Sequence, residues 1–301
     1  MSDFEFEFEF EFDFEFEVEL EFEVGVVPVG VRTGDGRLVL MTLSTLMVVS
    51  AGIAFGVMVA LWLVSLVVRD SSIVDIAWGP IFVAIAAVGA VWGAGWAGRQ
   101  LLVLAIVALW GLRLGWHIYR RNRGKGEDPR YAAWREQHGE SWWWVSLFRV
   151  FLLQAAVLWV VSLPIQLAMG LPGEDRFTAW DALGELVWAA GFLLEAIADA
   201  QLAAFKADPG SSGVLDEGLW RWSRHPNYFG EAVLWWGVWL PALSVPWGWA
   251  TVVSPVLMTL LLRYVSGVPL AEQMMEGRDG WEAYTRRVRI FVPGPRRESR
   301  D

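Results

Sequence analysis

Four stretches of this chain carry no charged side chain: residues 41–68, 76–98, 150–172 and 232–262. Each exceeds the roughly 20 residues that an apolar α-helix needs to cross a bilayer. A soluble globule of this length has no core able to hide four such runs. The pattern predicts membrane helices over 41–68, 74–97, 100–119, 146–168 and 181–205. The last uncharged run is too long for one perpendicular helix. Pro241, Pro246 and Gly248 interrupt it, so it divides into helices over 229–243 and 248–266. The predicted fold class is therefore all-α, a polytopic membrane helix bundle of about seven transmembrane helices.

The polar connections set the expected orientation. With seven spans, Arg69, the basic loop of Arg120, Arg121, Arg123, Lys125 and Arg130, the 206–224 connection and the Arg-rich tail all fall on one side. The excess of Lys and Arg in cytoplasmic loops makes that side cytoplasmic, with the amino terminus outside and the carboxyl terminus inside. The Trp142-Trp143-Trp144 cluster reads as interfacial. The expected setting is a multi-pass protein of the inner (cytoplasmic) membrane, in contact with bilayer lipid.

Composition changes the picture at one end only. Eleven acidic residues alternate, mostly with Phe, between Asp3 and Glu23, and removing them from the net charge of −10 leaves +1. The low pI thus belongs to a period-two extension over residues 1–24, the pattern of a strand with one apolar and one charged face. It reads first as a low-complexity extension, with self-association through the apolar face of residues 4–24 as the alternative. An acidic start is also the reverse of a signal-peptide n-region. Residues 25–40, with Pro28, Gly30 and Asp35-Gly36, read as a turn-containing connector; 41–296 form the transmembrane domain, and 297–301 a polar tail. Without cysteine there is no disulfide or thiolate chemistry. No basic groove with interleaved aromatics points to nucleic acid.

Ionisable residues at membrane depth are costly and tend to face a cavity or a partner. Asp75 opens the second helix and shares a face with Trp78. Arg113 and His117 lie four apart in the third, Glu195 and Asp199 four apart in the fifth, and Lys206 follows Asp199 by seven. Two carboxylates on one helical face repel unless cations or hydrogen-bond donors meet them. A purely structural network, with Glu195 paired to Arg113, is the competing account of these positions. No HExxH or other ligand-like spacing joins His117, His138 and His225, so no metal is expected. The sharpest local signal is Arg224-His225-Pro226-Asn227-Tyr228-Phe229-Gly230-Glu231, at the entry to a membrane helix. Arg224 suits a phosphate or carboxylate, Asn227 both donates and accepts, and Glu231 suits an amide or a ribose. His225 and Tyr228 sit in the same turn, where a hydrophilic cofactor would meet the membrane surface. Neither a Rossmann nor a P-loop fingerprint is present.

Five segments carry a family resemblance: Asp75-Ile76-Ala77-Trp78-Gly79; Leu112 to His117 with Arg120 and Arg121; Glu127-Asp128-Pro129-Arg130-Tyr131; Glu195 to Gln201; and Arg224 to Glu231. Over roughly residues 41–296 the chain resembles the bacterial DUF1295 membrane proteins within the steroid 5-alpha-reductase-like superfamily. That superfamily is related to sterol reductases and isoprenylcysteine carboxyl methyltransferases. The resemblance implies NADPH in the cytoplasmic half of the bundle and hydride transfer to a conjugated double bond of a sterol-like or isoprenoid enone. Carried over by motif, it marks Asp199, Lys206, Glu195, Asn227, Glu231 and Arg263 as cofactor-binding. Arg224, His225 and Tyr228 lie beside them, and Asp75 and His117 are the catalytic candidates. Glu195 and Lys206 depart from the steroid-enzyme pattern. Two alternatives remain: methylation of a lipid or small hydrophobic acceptor with S-adenosylmethionine, and a non-enzymatic transporter or structural protein.

Overall fold

In a computed structural model the described residues are 42–297, together with the backbone of two short strands, Val31–Arg32 and Leu38–Val39. The strands pair antiparallel, Val31 opposite Val39, within the predicted connector. The alternating extension at 1–24 lies outside the described residues.

The described chain beyond the strands is helical. Helix α1 (Leu43–Val68) begins where the Thr42 hydroxyl accepts the Thr45 amide. It ends at Arg69, in the left-handed conformation. Helix α2 (Ile73–Trp92) stops at Gly93, and α3 (Ala97–Asn122) returns beside it. The two lie unusually close: a Cβ on Gly111 would come 2.6 Å from the Gly79 carbonyl oxygen. Only paired glycines permit that approach.

Helix α4 differs from its predicted form. It spans Pro129–Val161, opening with a polar helical segment, Pro129–His138, that a 3-10 turn at Gly139–Ser141 joins to the apolar stretch from Trp142. Asp128 caps its first turn, accepting the Arg130 amide at 3.0 Å, and Pro129 takes the first helical position, where its missing N–H costs nothing. The basic segment expected as a loop is thereby half helix. A π-helical stretch, Leu147–Leu152, interrupts α4 before the short α5 (Leu163–Gly170).

Helix α6 (Ala179–Ala207) opens with a capping box between Thr178 and Asp181. Helix α7 (Pro226–Trp239) passes into a 3-10 turn, Leu240–Ser244, and α8 spans Gly248–Gln273 with a π-helical stretch at Leu261–Val265. The predicted break at Pro241, Pro246 and Gly248 separates α7 from α8. A last short helix, α9 (Trp281–Arg287), lies in the tail.

Among the described residues, six helices are long and apolar enough to cross a membrane: α1, α2, α3, α4, α6 and α8. The expected seventh, α7, has 14 residues. The molecule is a polytopic membrane helix bundle. Its outer surface is apolar, with Val67 84% and Leu186 69% exposed, as a lipid-facing surface requires. Its centre is aromatic: Phe82 of α2, Trp110 of α3 and Trp235 of α7 pack with ring centroids 4.7–5.8 Å apart. One end is tied by a buried ion pair, Arg99 Nε donating to Asp181 Oδ1 at 2.7 Å. The opposite end holds the polar residues singled out in the sequence.

Candidate functional site

The site is built on a glycine seam between α6 and α7. A Cβ on Gly230 would lie 2.5 Å from the Glu195 amide nitrogen and 2.7 Å from the Gly191 carbonyl oxygen. The two backbones therefore touch, and Asn227, one turn before Gly230, reaches α6. Its Nδ2 donates to Asp199 Oδ1 at 3.2 Å.

Helix α3 supplies the other half. Arg113 donates from Nη1 to Glu195 Oε1 at 2.5 Å and from Nη2 to Asp199 Oδ2 at 2.6 Å. The i, i+4 pair of carboxylates on α6 is thus bridged by one planar guanidinium, whose fork suits two acceptors. One turn on, His117 Nε2 stands 3.9 Å from the same Asp199 oxygen. The indole of Trp110 donates to Glu195 Oε2 at 3.1 Å, so the aromatic core and the ionic cluster share a residue.

Above this cluster opens a cavity of about 1000 Å³, at the top of the usual range for small-molecule sites. Asp199, Lys206, Arg224, His225, Asn227, Tyr228 and His117 all line it, as does Arg113. Its wall carries eight Lys or Arg side chains against three Asp or Glu. Among the described residues, three buried polar atoms on the wall have no hydrogen-bond partner: Asn227 Oδ1, Arg224 Nε and Asn122 Nδ2. Buried polar atoms are seldom left unpaired, and these leave one acceptor and two donors unsatisfied within residues of the wall.

The remaining predicted residues, Glu195, Glu231, Arg263 and Asp75, do not line the cavity. Glu195 is buried against Trp110 and Arg113. Glu231 lies one residue beyond Gly230 in α7, and Arg263 packs over the Tyr264 ring at 4.6 Å. Asp75 is engaged by α4: the Tyr131 hydroxyl donates to its Oδ1 at 2.9 Å and Arg130 to its Oδ2 at 3.0 Å. Gln154 donates to Tyr131 and accepts from Trp78, completing a polar chain between α2 and α4. Arg130, at the end of that chain, does line the cavity.

The outer rim is held by ion pairs. Burial would raise the Glu127 pKa, but the hydrogen bonds from Arg135 and the Ser71 amide outweigh it and hold the carboxyl below its ordinary value. Asp128 is held low in the same way by Arg130, against its own burial. Burial pulls the Arg224 guanidinium below its ordinary value, with Glu272 opposing at 2.9 Å. Glu272 also meets His225 Nε2 at 2.6 Å, pinning the signature turn to the end of α8.

Sequence reasoning left Arg113 out of the site and gave Trp110, Gln154 and Glu272 no role in it. Gln154 left a signal, an amide inside an otherwise apolar run. Glu272 stands out only through a likeness of the tail, with Tyr284 and Arg286-Arg287, to the methyltransferases; its pairing with Arg224 and His225, 48 and 47 residues away, has no local signal.

A family model matches residues 61–288, from the second half of α1 to the tail. The chain belongs to that family, DUF1295, described as a protein of unknown function. Over 203 residues this DUF1295 protein is 32% identical to an uncharacterised protein of Schizosaccharomyces pombe, covering 58% of each chain. The chain thus spans little more than half the length of the curated relative it matches. No solved structure matches. Every DUF1295 residue placed at the cavity above lies inside the matched region.

Proposed function

We propose that this DUF1295 protein is a membrane oxidoreductase of the steroid 5-alpha-reductase-like kind, using NADPH to reduce a conjugated carbon–carbon double bond of a hydrophobic enone. The observation that carries the reading is the cation-rich cavity seated on the Asp199–Asn227–Arg113–His117 cluster.

The residues fit the cofactor. Lys206, Arg224 and the α3-end cations Arg120 and Arg121 offset the charge of phosphate groups. Asn227, with Nδ2 committed to Asp199, offers its free Oδ1 to a carboxamide N–H. Asp199 keeps Asn227 in that orientation, and Glu195 keeps Arg113 on Asp199. When bound, the reduced nicotinamide supplies the hydride that the β carbon of the enone accepts. His117 donates to the carbonyl oxygen, where negative charge develops, and the α carbon takes its proton from water. Asp75 acts through Arg130, as a positioning residue at the rim. Tyr228 stacks on His225 with centroids 5.7 Å apart and lines the cavity.

Charge separates this reading from its rivals. S-adenosylmethionine carries a sulfonium cation, which eight wall cations disfavour. A transporter places polar residues along a path, whereas here the aromatic centre separates the cavity from the Arg99–Asp181 pair. The orientation follows the same reading. The cavity end faces the cytoplasm, and α7 with its 3-10 extension completes seven spans. Those 19 residues reach roughly 30 Å, about the hydrocarbon thickness.

The test is equilibrium binding of NADPH and of S-adenosylmethionine to the detergent-purified protein, with Asn227→Ala in parallel. Saturable NADPH binding that the variant loses supports the reductase and leads to a screen of isoprenoid and sterol enones. Binding of S-adenosylmethionine alone makes the protein a methyltransferase, and binding of neither removes the cofactor assignment.

A further inference from the structure

A second, smaller cleft of about 400 Å³ lies between the end of α1 and the turn of α4 around Trp142, lined by Leu66, Arg69, Arg135, Glu140, Trp142 and Trp143. It sits where the chain leaves the apolar zone. Val67 and Val68 are exposed, the next two residues are Arg69 and Asp70, and Trp143 and Trp144 are exposed at the neighbouring turn. Exposed Trp beside the first charged residues marks a membrane–water boundary. The Trp62 indole donates to the Trp143 carbonyl at 2.7 Å and joins the two walls.

Its charges are arranged for a ligand of both signs. Arg69 has no ion-pair partner among the described residues, and the left-handed backbone at this position turns the chain sharply off α1. Arg135 spends Nε and Nη2 on Glu127 and Ser71, while its Nη1 makes no hydrogen bond. Glu140 is exposed and likewise unpaired among the described residues. Arg135 being neutralised by Glu127, the cleft lining offers Arg69 and Glu140 as its uncompensated charges; Asp70, beside Arg69, lies outside the lining and accepts from Ser72. A net-neutral headgroup with a phosphate and an ammonium matches this; an anionic headgroup would leave Glu140 repelled. The apolar edge of Leu63, Val67 and Trp143 lies alongside for acyl chains.

We propose that this cleft binds the headgroup of a zwitterionic glycerophospholipid bearing a primary ammonium, with its phosphodiester on Arg69 and Arg135 and its ammonium on Glu140. The site is distinct from the central cavity, whose rim it adjoins through the Arg135–Glu127 pair, and it does not rest on the chemistry assigned there.

The test uses delipidated, detergent-purified protein titrated with short-chain phosphatidylethanolamine, phosphatidylglycerol and phosphatidylcholine, and with inorganic phosphate, and read as bound adducts by native mass spectrometry. Phosphatidylethanolamine is expected to bind tightest and inorganic phosphate not to be retained. Arg69→Gln lowers that affinity about tenfold, the scale of one charge-assisted hydrogen bond. Glu140→Gln abolishes the preference over phosphatidylglycerol while keeping phosphodiester binding. Both side chains are exposed, and an unchanged melting temperature without lipid checks that the variants fold. Equal or tighter binding of phosphatidylglycerol to the unaltered protein overturns the proposal, as does phosphatidylethanolamine binding that neither substitution changes.

Discussion

Arg113 Nη2 donates to Asp199 Oδ2 at 2.6 Å, and through that contact α3 holds the carboxylate against which Asn227 of α7 is set. The same guanidinium reaches Glu195 at 2.5 Å. Removing it leaves two carboxylates one turn apart, Glu195 buried in the protein and Asp199 on the cavity wall. Breaking a buried pair by deleting one partner costs about 3–5 kcal/mol, because the surviving charge is uncompensated. Arg113→Ala is expected to lower the melting temperature in detergent sharply. Adding Glu195→Gln should restore part of the loss, since one of the stranded charges is then gone. If the double variant is no more stable than the single one, the carboxylate pair is not what Arg113 balances.

Two glycine substitutions separate packing from propensity. In a helix interior alanine is favoured over glycine by about 1 kcal/mol. At Gly56, where a Cβ would meet nothing within 4 Å, alanine is expected to stabilise α1. At Gly230 the Cβ would strike the backbone of α6, and overpacking of that kind costs about 1–3 kcal/mol. Gly230→Ala should also weaken NADPH binding, because it pushes Asn227 away from Asp199. Melting curves and cofactor titrations on both variants check this; opposite signs are the expected result.

The rim carboxylate Glu127 gives a pH signature. Its folded pKa lies below the ordinary value of 4.5, as Arg135 and the Ser71 amide overcome the effect of burial. A carboxyl whose pKa is depressed on folding contributes stability that is fully present above the unfolded value. That stability is lost as pH falls through the folded one. The difference in stability between the unaltered protein and Glu127→Gln should therefore be constant above about pH 5 and shrink on acidification. A difference that grew with acid would reverse the sign and refute the assignment.

Much of this arrangement is legible in the amino-acid sequence. Uncharged runs located the long helices, since bilayer length and backbone hydrogen bonding leave few alternatives. The i, i+4 spacing marked Arg113 with His117 and Glu195 with Asp199, and the pairing of Arg113 with Glu195 was the structural account weighed there. The start of α4 was hidden because Arg, Glu and Asp around Pro129 read as a loop. The decisive features there, an Asp cap and a proline at the first position, are local and easily masked by charge. Glu231 and Arg263 illustrate a different limit. A motif places a residue on an element, but which face of the helix meets the cavity is fixed by the crossing of α7 and α8 with their neighbours. That crossing depends on glycines and aromatics far away in sequence.

The two ends of the bundle should respond to mutation in opposite ways. Arg99 and Asp181 are fully buried at the end remote from the cavity, joined by hydrogen bonds of 2.7 and 3.0 Å. Asp181 also caps α6 through Thr178, which in turn meets Ser244 at 2.6 Å. Asp181→Asn strands a buried guanidinium and weakens a cap, so it is expected to cost several kcal/mol of stability. It should leave NADPH affinity unchanged wherever the protein remains folded. Lys206→Gln is the converse. Its side chain is exposed on the cavity wall, with no ion-pair partner among the described residues, so little stability depends on it. Its charge acts on a bound polyanion, and removing it should weaken NADPH binding several-fold at low salt. That deficit should narrow as ionic strength rises and the Debye length falls from about 30 Å at 0.01 M to about 8 Å at 0.15 M. A stability loss at Lys206, or an affinity loss at Asp181 in folded protein, would mean that the two ends are coupled through the aromatic centre rather than insulated by it.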